Sequence, residues 1–375
     1  MKASDWATRL PWSIVLIAAL LACCGCLGIA RAEQLAHTSG RMTVQQIVWS
    51  ILALIVMLLV TIPNYRRLCR GTYLAFGVSL LLLIVVYAFP PIGYAHRWIR
   101  LGGIGFQPSE LAKITFVLAL ARYLMYRENY RWLGGLLVPL VLTLVPVLLI
   151  LREPDLGTAI VFLPVLFAML YAAGARRRDL AVLCLVGCAV LPVLWTQMSR
   201  EQMSRVTALL EPITPGQRPS ADAYHLYQAR RTMAVGGIWG TALGPEPLDA
   251  VRRYSVPAAH TDSIYSVLGE RFGIVGVALL LLLYFLLAWR GLVIAQSTRE
   301  PFGRLLAVGI VALFSVQAVI NTGMMAGLLP ITGLSLPLVS YGGSGLVAGG
   351  LALGLLMNIS MRPGYEVTGE PFVFR

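Results

Sequence analysis

Four short polar segments interrupt an otherwise apolar chain, and each carries side chains that can do chemistry. The first begins Arg97-Trp98-Ile99-Arg100, passes through a glycine-rich stretch, and ends Gln107-Pro108-Ser109-Glu110-Leu111-Ala112-Lys113. Its pattern predicts a loop folding into a helix with Ser109 as cap. Glu110 and Lys113, three apart, then share one helix face and can pair. Lys113 lies inside an apolar stretch, and an anionic substrate would give it a reason to be there. The second segment is Glu153-Pro154-Asp155-Leu156-Gly157-Thr158. Asp155 suits a helix N-cap. The two carboxylates flanking Pro154 equally suit a divalent cation, Mg2+ or Mn2+, or a sugar hydroxyl. The third, His260-Thr261-Asp262, closes a long polar stretch just where an apolar run begins. Asp262 reads either as an N-cap or, with His260 and the basic residues nearby, as part of a charged pocket that could also take a metal with Asp155. The fourth, 329–345, is apolar yet studded with helix breakers, and reads as a re-entrant or interfacial loop containing Ser340. Gly342 and Gly343 leave backbone N–H groups free at the start of a helix, an arrangement able to hold a diphosphate.

These groups need elements to position them, and composition says which. Of 375 residues, 58% are hydrophobic and 13% charged. A soluble domain carries roughly a quarter charged residues and could not keep so much apolar surface from water. The apolar residues come in long runs without period-two alternation, so a β-barrel is excluded and helices remain. Ten spans are expected, at 11–29, 44–62, 72–89, 109–126, 133–151, 157–173, 180–198, 273–289, 305–325 and 345–360. The chain thus reads as one all-α polytopic membrane domain over 1–375, with an extracytoplasmic loop at about 199–262 between spans seven and eight. Within that loop, 224–233 has tyrosines three apart and arginines on a neighbouring face. It fits a helix lying at head-group level or one packed against the protein. Pro146, Pro164 and Pro192 should kink their spans. The first apolar run is long and followed at once by others, so it reads as an anchor and not a cleaved signal. The six cysteines lack metal-site spacing and read as small buried residues.

The net charge of +13 does not point to nucleic acid, because the arginines cluster between apolar runs and do not line one face. They read as topology signals and contacts for anionic membrane lipids. Lysine is almost absent, occurring only at Lys2 and Lys113. Connections after spans two, four, six and eight carry Arg66, Arg67 and Arg70, then Arg127 and Arg131, then Arg176, Arg177 and Arg178, then Arg299 and Arg304. The other face carries fewer in its short connections, Arg31 and Arg41 after span one being a mild exception. Both termini are therefore expected in the cytoplasm and the four polar segments outside.

Taken together, Arg97-Trp98-Ile99 through Lys113, Pro154 to Thr158, His260-Thr261-Asp262 and Pro337-Leu338-Val339-Ser340-Tyr341-Gly342-Gly343-Ser344 resemble the SEDS family (shape, elongation, division and sporulation), whose best-known members are RodA and FtsW. The likeness covers nearly the whole chain, in order. It implies the SEDS fold and a peptidoglycan glycosyltransferase that polymerises lipid II outside the cytoplasmic (inner) membrane. It also implies a class B penicillin-binding protein as partner. The family's catalytic aspartate falls on Asp262. The short tails lean towards a RodA-like elongation protein. Three positions depart from the pattern: Ala258 replaces a glutamate, Ser263-Ile264-Tyr265 replaces Phe-Ile-Phe, and Glu270-Arg271 replaces a Glu-Glu pair.

The chemistry suits these residues. Turning an α-linked glycosyl diphosphate into a β-1,4 linkage by single displacement needs one base for the acceptor hydroxyl, and Asp262 is the candidate. Arg97, Lys113 and the Gly342–Gly343 turn are candidates for diphosphate contacts, with Glu110, His260 and Ser340 as further substrate contacts. Glu153 and Asp155 are candidates for cation or structural roles. A lipid II flippase would need similar polar groups but no base, and no inverted repeat is visible. A scaffold for the transpeptidase would tolerate loss of Asp262 and leaves the outward charged groups unexplained.

Overall fold

The computed structural model describes residues 8–91, 96–101, 104–126, 133–209, 211, 220–242, 258–362 and 364. Lys2, Arg127, Arg131 and most of the proline-rich stretch 211–222 lie outside them. Ten long helices correspond one to one with the expected spans. They are α1 (Trp12–Ala36), α2 (Arg41–Leu59), α3 (Arg66–Val85), α4 (Pro108–Leu124), α5 (Leu137–Arg152), α6 (Leu156–Ala173), α7 (Arg177–Gln197), α10 (Ile264–Ser297), α11 (Pro301–Ala326) and α12 (Gly343–Ser360). Two further helices, the short α8 (Arg200–Thr207) and α9 (Ala221–Gly236), fall between α7 and α10. Among the described residues, eight of these helices are long and apolar enough to cross a membrane, all but α4, α7, α8 and α9.

Helix α4 has only 17 residues but is apolar on nearly every face, and it is buried almost throughout. That is the signature of a central helix. It packs against α3, α11 and α6, while α12 lies against α2 and α10 against α1 and α11. Two glycines let α12 approach α2 closely. A Cβ on Gly350 would sit 2.4 Å from the Ala53 carbonyl oxygen, and one on Gly354 2.6 Å from that of Met57. Small residues four apart are what permit such contacts between membrane helices.

The eighth span differs from expectation at its start. The helix begins at Ile264 and not near 273, and Gly273 breaks it with φ 66° and ψ −165°. Hydropathy misses the first half because it carries Glu270 and Arg271. Glu270 is fully buried, held by Arg31 (2.7 and 3.0 Å) and by the Thr241 hydroxyl (2.8 Å). The chain after α9 repairs the break: Ile274 N–H bonds Gly237 O at 3.0 Å, and Thr241 N–H bonds Glu270 O at 3.0 Å. Freed backbone groups at membrane depth require such partners.

Helix α9 is the packed alternative. It buries Leu226, Ala229 and Thr232 against α10 and turns Tyr224 and Tyr227 outward. The cysteines depart from expectation: Cys23, Cys184 and Cys188 are exposed on the apolar outer surface, and all six are free. The loop before α4 contains a two-stranded antiparallel hairpin, β1 (Ile99–Leu101) with β2 (Ile104–Phe106), which the sequence did not announce.

Candidate active site

At the end of the bundle holding the hairpin, a cavity of about 210 Å3 opens between α4, α6, α11, α12 and the residues that lead into α10. All four polar segments reach it. Its lining includes Arg97, Glu110, Lys113, Asp155, Asp262, Ser340 and Gly342, seven of the ten residues singled out from the sequence.

Each is placed by local structure. Pro108 occupies the first turn of α4 after an extended Gln107, the position where a missing N–H costs nothing. Ser109 is therefore not the cap, and its buried hydroxyl has no partner. Lys113 lies one turn in and donates to Glu110 at 2.8 Å, the expected pair. Asp155 caps α6, accepting from Thr158 N–H at 3.2 Å and from the Thr158 hydroxyl at 2.9 Å. Arg97 reaches over from the hairpin, donating to the Pro154 carbonyl and standing 3.8 Å from Asp155.

Asp262 does not cap α10; Ser263 is the N-cap residue, and its hydroxyl bonds His225 Nε2 at 2.7 Å instead of the helix. The backbone of Asp262 is pinned instead. Asn321 Nδ2 on α11 donates to Asp262 O at 3.0 Å and to Leu334 O at 2.6 Å. Ser340 Oγ donates to Thr261 O at 2.7 Å and accepts from Leu336 N–H at 2.8 Å, and Tyr341 N–H bonds His260 O at 2.9 Å. The 329–342 loop is thus stitched to the start of α10, leaving the Asp262 carboxylate as the group presented to the cavity.

Electrostatics then act on that carboxylate. Burial dominates and pushes Asp262 up to about 6; Asp155 adds to the rise, while Arg97, Arg205 and the Thr261 hydroxyl oppose it. Glu153 is more extreme. Fully buried, with no hydrogen-bond partner for either oxygen, it is raised to about 8 by burial first and Asp155 second, against the pull of Arg97.

Three singled-out residues do not line the cavity. Glu153 lies behind Asp155. His260 packs edge-on against Tyr341 at 5.8 Å and is lowered by burial, with Glu33 opposing. Gly343 abuts Trp49 of α2. Conversely, Gln107 and Gln317 line it without having been anticipated. Gln317 and Asn321 are four apart within a span, and two costly polar groups on one face of a membrane helix are a readable signal.

No group of three His, Cys, Asp or Glu side chains able to hold a metal occurs among the described residues.

A polytopic helical bundle with one polar chamber at its end, built from four loop-borne motifs around a raised aspartate, defines a narrow class of membrane protein. Residues 9–364 match the model of the FtsW/RodA/SpoVE cell cycle protein family, and the chain belongs to that family. It is 34% identical over 364 residues to a probable peptidoglycan glycosyltransferase FtsW of Geobacter sulfurreducens (93% of this chain, 94% of that one). It is 36% identical over 317 residues to the peptidoglycan glycosyltransferase MrdB of Escherichia coli K12 (84% and 83%). The fold is similar to a solved chain described under structural coordination of polymerization and crosslinking by a peptidoglycan synthase complex (TM-score 0.80, 32% identity, 94% of this chain and 97% of that one). It is also similar to the rod shape determining protein RodA of Thermus thermophilus (TM-score 0.71, 30% identity, 95% and 98%).

Proposed function

We propose that this chain is a peptidoglycan glycosyltransferase that polymerises lipid II into β-1,4 glycan strands at the outer face of the cytoplasmic membrane. In this reading both termini are cytoplasmic, a class B penicillin-binding protein is the partner, and cell-wall elongation is the setting. The observation that carries it is Asp262: a carboxylate raised to about 6, pinned through its backbone and facing a cavity that also holds Arg97 and Lys113.

The acceptor hydroxyl attacks the anomeric carbon of the donor from the face opposite the diphosphate. Asp262 takes the hydroxyl proton as the new C–O bond forms, and the polyprenyl diphosphate leaves with the electron pair of the broken bond, giving inversion. A base near 6 is ionised at neutral pH and stronger than an ordinary carboxylate. Charge on the leaving diphosphate is countered by Arg97, Lys113 and the N–H groups at the start of α12. A divalent cation held by Asp155 and Asp262 would neutralise the same phosphates.

The test is strand synthesis from labelled lipid II by the purified chain with its cognate transpeptidase, under moenomycin to silence polymerases of the other class. Asp262→Asn is expected to lose about 10²–10⁴-fold in rate while remaining folded. Undiminished synthesis by the variant would remove Asp262 from the mechanism. No strands from either protein would shift the weight to a lipid II flippase, and activity confined to a partnered transpeptidase would favour the scaffold.

A further inference from the structure

Helix α8 lies in the segment between spans seven and eight, yet one of its side chains reaches the rim of the cavity. The helix is held at both ends. Ser199 and Gln202 form a reciprocal capping box at its start (3.3 and 3.0 Å), and Ser204 Oγ donates to Asp222 of α9 at 2.7 Å. This orients Arg205 towards the 329–342 loop, where Nη1 donates to Thr332 O at 3.4 Å. A Cβ built on the next residue, Gly333, would lie 3.9 Å from Arg205 Nη1 and 3.4 Å from Asp262 Oδ2. The guanidinium and the carboxylate therefore converge over one glycine, whose φ of +72° and missing side chain leave the space between them open.

Among the described residues, the two cations lining the chamber and Arg205 at its rim are not in the same state. Arg97 faces Asp155 at 3.8 Å, which counters part of its charge, and donates to the Pro154 carbonyl. Lys113 is paired with Glu110 at 2.8 Å. Arg205 has one long hydrogen bond, to a backbone carbonyl, and no carboxylate within ion-pair distance among the described residues. A cation partly countered by a neighbouring carboxylate offers a phosphate less net attraction than one held only by a neutral acceptor. Guanidinium also presents paired N–H groups that match phosphate oxygens.

We propose that Arg205 is a substrate-contacting residue, the cation that meets the diphosphate of the polyprenyl-linked donor at the Asp262 side of the cavity. This rests on the lipid II reading and adds to it: the segment between α7 and α10 completes the site by delivering a cation that, among the described residues, no carboxylate pairs. Diphosphate and base are then brought together only when α8 is docked on the 329–342 loop.

The test is equilibrium binding of labelled undecaprenyl diphosphate to the full chain in nanodiscs, a readout that needs no turnover, with unphosphorylated undecaprenol as competitor control. Arg205→Gln is expected to bind the diphosphate roughly tenfold to a hundredfold more weakly, the size of one charge-assisted hydrogen bond. Arg205→Lys keeps the charge and should stay within about tenfold of wild type, and Arg200→Gln, an exposed position on the same helix, should bind as wild type. Unchanged diphosphate binding by Arg205→Gln would overturn the proposal, as would equal weakening by Arg200→Gln, which would reduce the effect to general surface charge. Diphosphate binding lost in Arg205→Gln from a wild type that makes no strands would uphold the contact while overturning the polymerase reading.

Discussion

At the end of the bundle away from the cavity, Tyr65 and Arg66 both donate to Glu300, Asn358 on α12 donates to the carbonyls of Val60 (2.7 Å) and Pro63 (2.6 Å), and Arg362 bonds those of Thr61 (3.1 Å) and Ile62 (3.0 Å). Most arginine, carboxylate and amide groups there are engaged with one another and with helix ends, Asp179 Oδ2 being an exception. At the cavity end the same residue types are left with unspent capacity. Arg97 and Asp155 stand 3.8 Å apart, both oxygens of Glu153 and the hydroxyls of Ser109 and Ser344 lack partners, and the Asp262 carboxylate faces open space. Buried polar groups are normally satisfied, so an accumulation of exceptions at one end needs a reason other than stability. The satisfied end staples α2, α3, α11 and α12 together; the unsatisfied end is where a substrate can complete the hydrogen bonding.

The largest effect that would sharpen this contrast comes from Arg97→Gln. Strand synthesis should fall about 10²-fold, the usual loss for one preorganised electrostatic contact, with little change in melting temperature. Because Arg97 holds Asp262 down, its removal should also move the acidic limb of the rate profile to higher pH. A large loss of stability instead would mean Arg97 is a structural clamp and would break the comparison. Glu300→Gln should do the reverse: it weakens a partly buried network at about 1–3 kcal/mol, read by thermal unfolding in detergent, and leaves the rate per folded molecule unchanged. The smallest effect is expected from Glu153→Gln. A carboxyl raised to about 8 is already neutral at pH 7, so the amide should alter the rate there by less than about twofold. The unfolded carboxyl ionises near 4.5 and the folded one near 8. Wild type should therefore lose stability relative to Glu153→Gln as pH rises across that window, which thermal scans at successive pH values would detect.

Much of this contrast was legible in the sequence because polar residues are conspicuous in an apolar chain. Ten apolar runs gave ten helices, and Arg97, Glu110, Lys113, Asp155 and Asp262 stood out as costly at a membrane edge and do share one cavity. The misses have physical causes. Hydropathy could not see that α10 starts at Ile264, since the charge of Glu270 is cancelled by Arg31, 239 residues away. Spacing could not separate Glu153, which points into protein, from Asp155 two residues on, which caps α6 and faces the cavity. Nor could it show that Asp262 is held by Asn321 and the Ser340 loop and not by its own helix. Arg205 was invisible because its approach depends on where α8 docks, and one arginine in a basic loop carries no local mark.

The central claim is that Asp262, half-buried at the cavity wall and raised by desolvation, is the base, and the pH dependence of strand synthesis tests it most directly. The carboxylate is the active form, so kcat/KM should rise tenfold per pH unit on the acidic side, bend at about 6 and then level off. The residual rate of Asp262→Asn should lack that limb. A wild-type bend near 4, where an ordinary aspartate titrates, or a limb at 6 that survives in Asp262→Asn, would contradict the account.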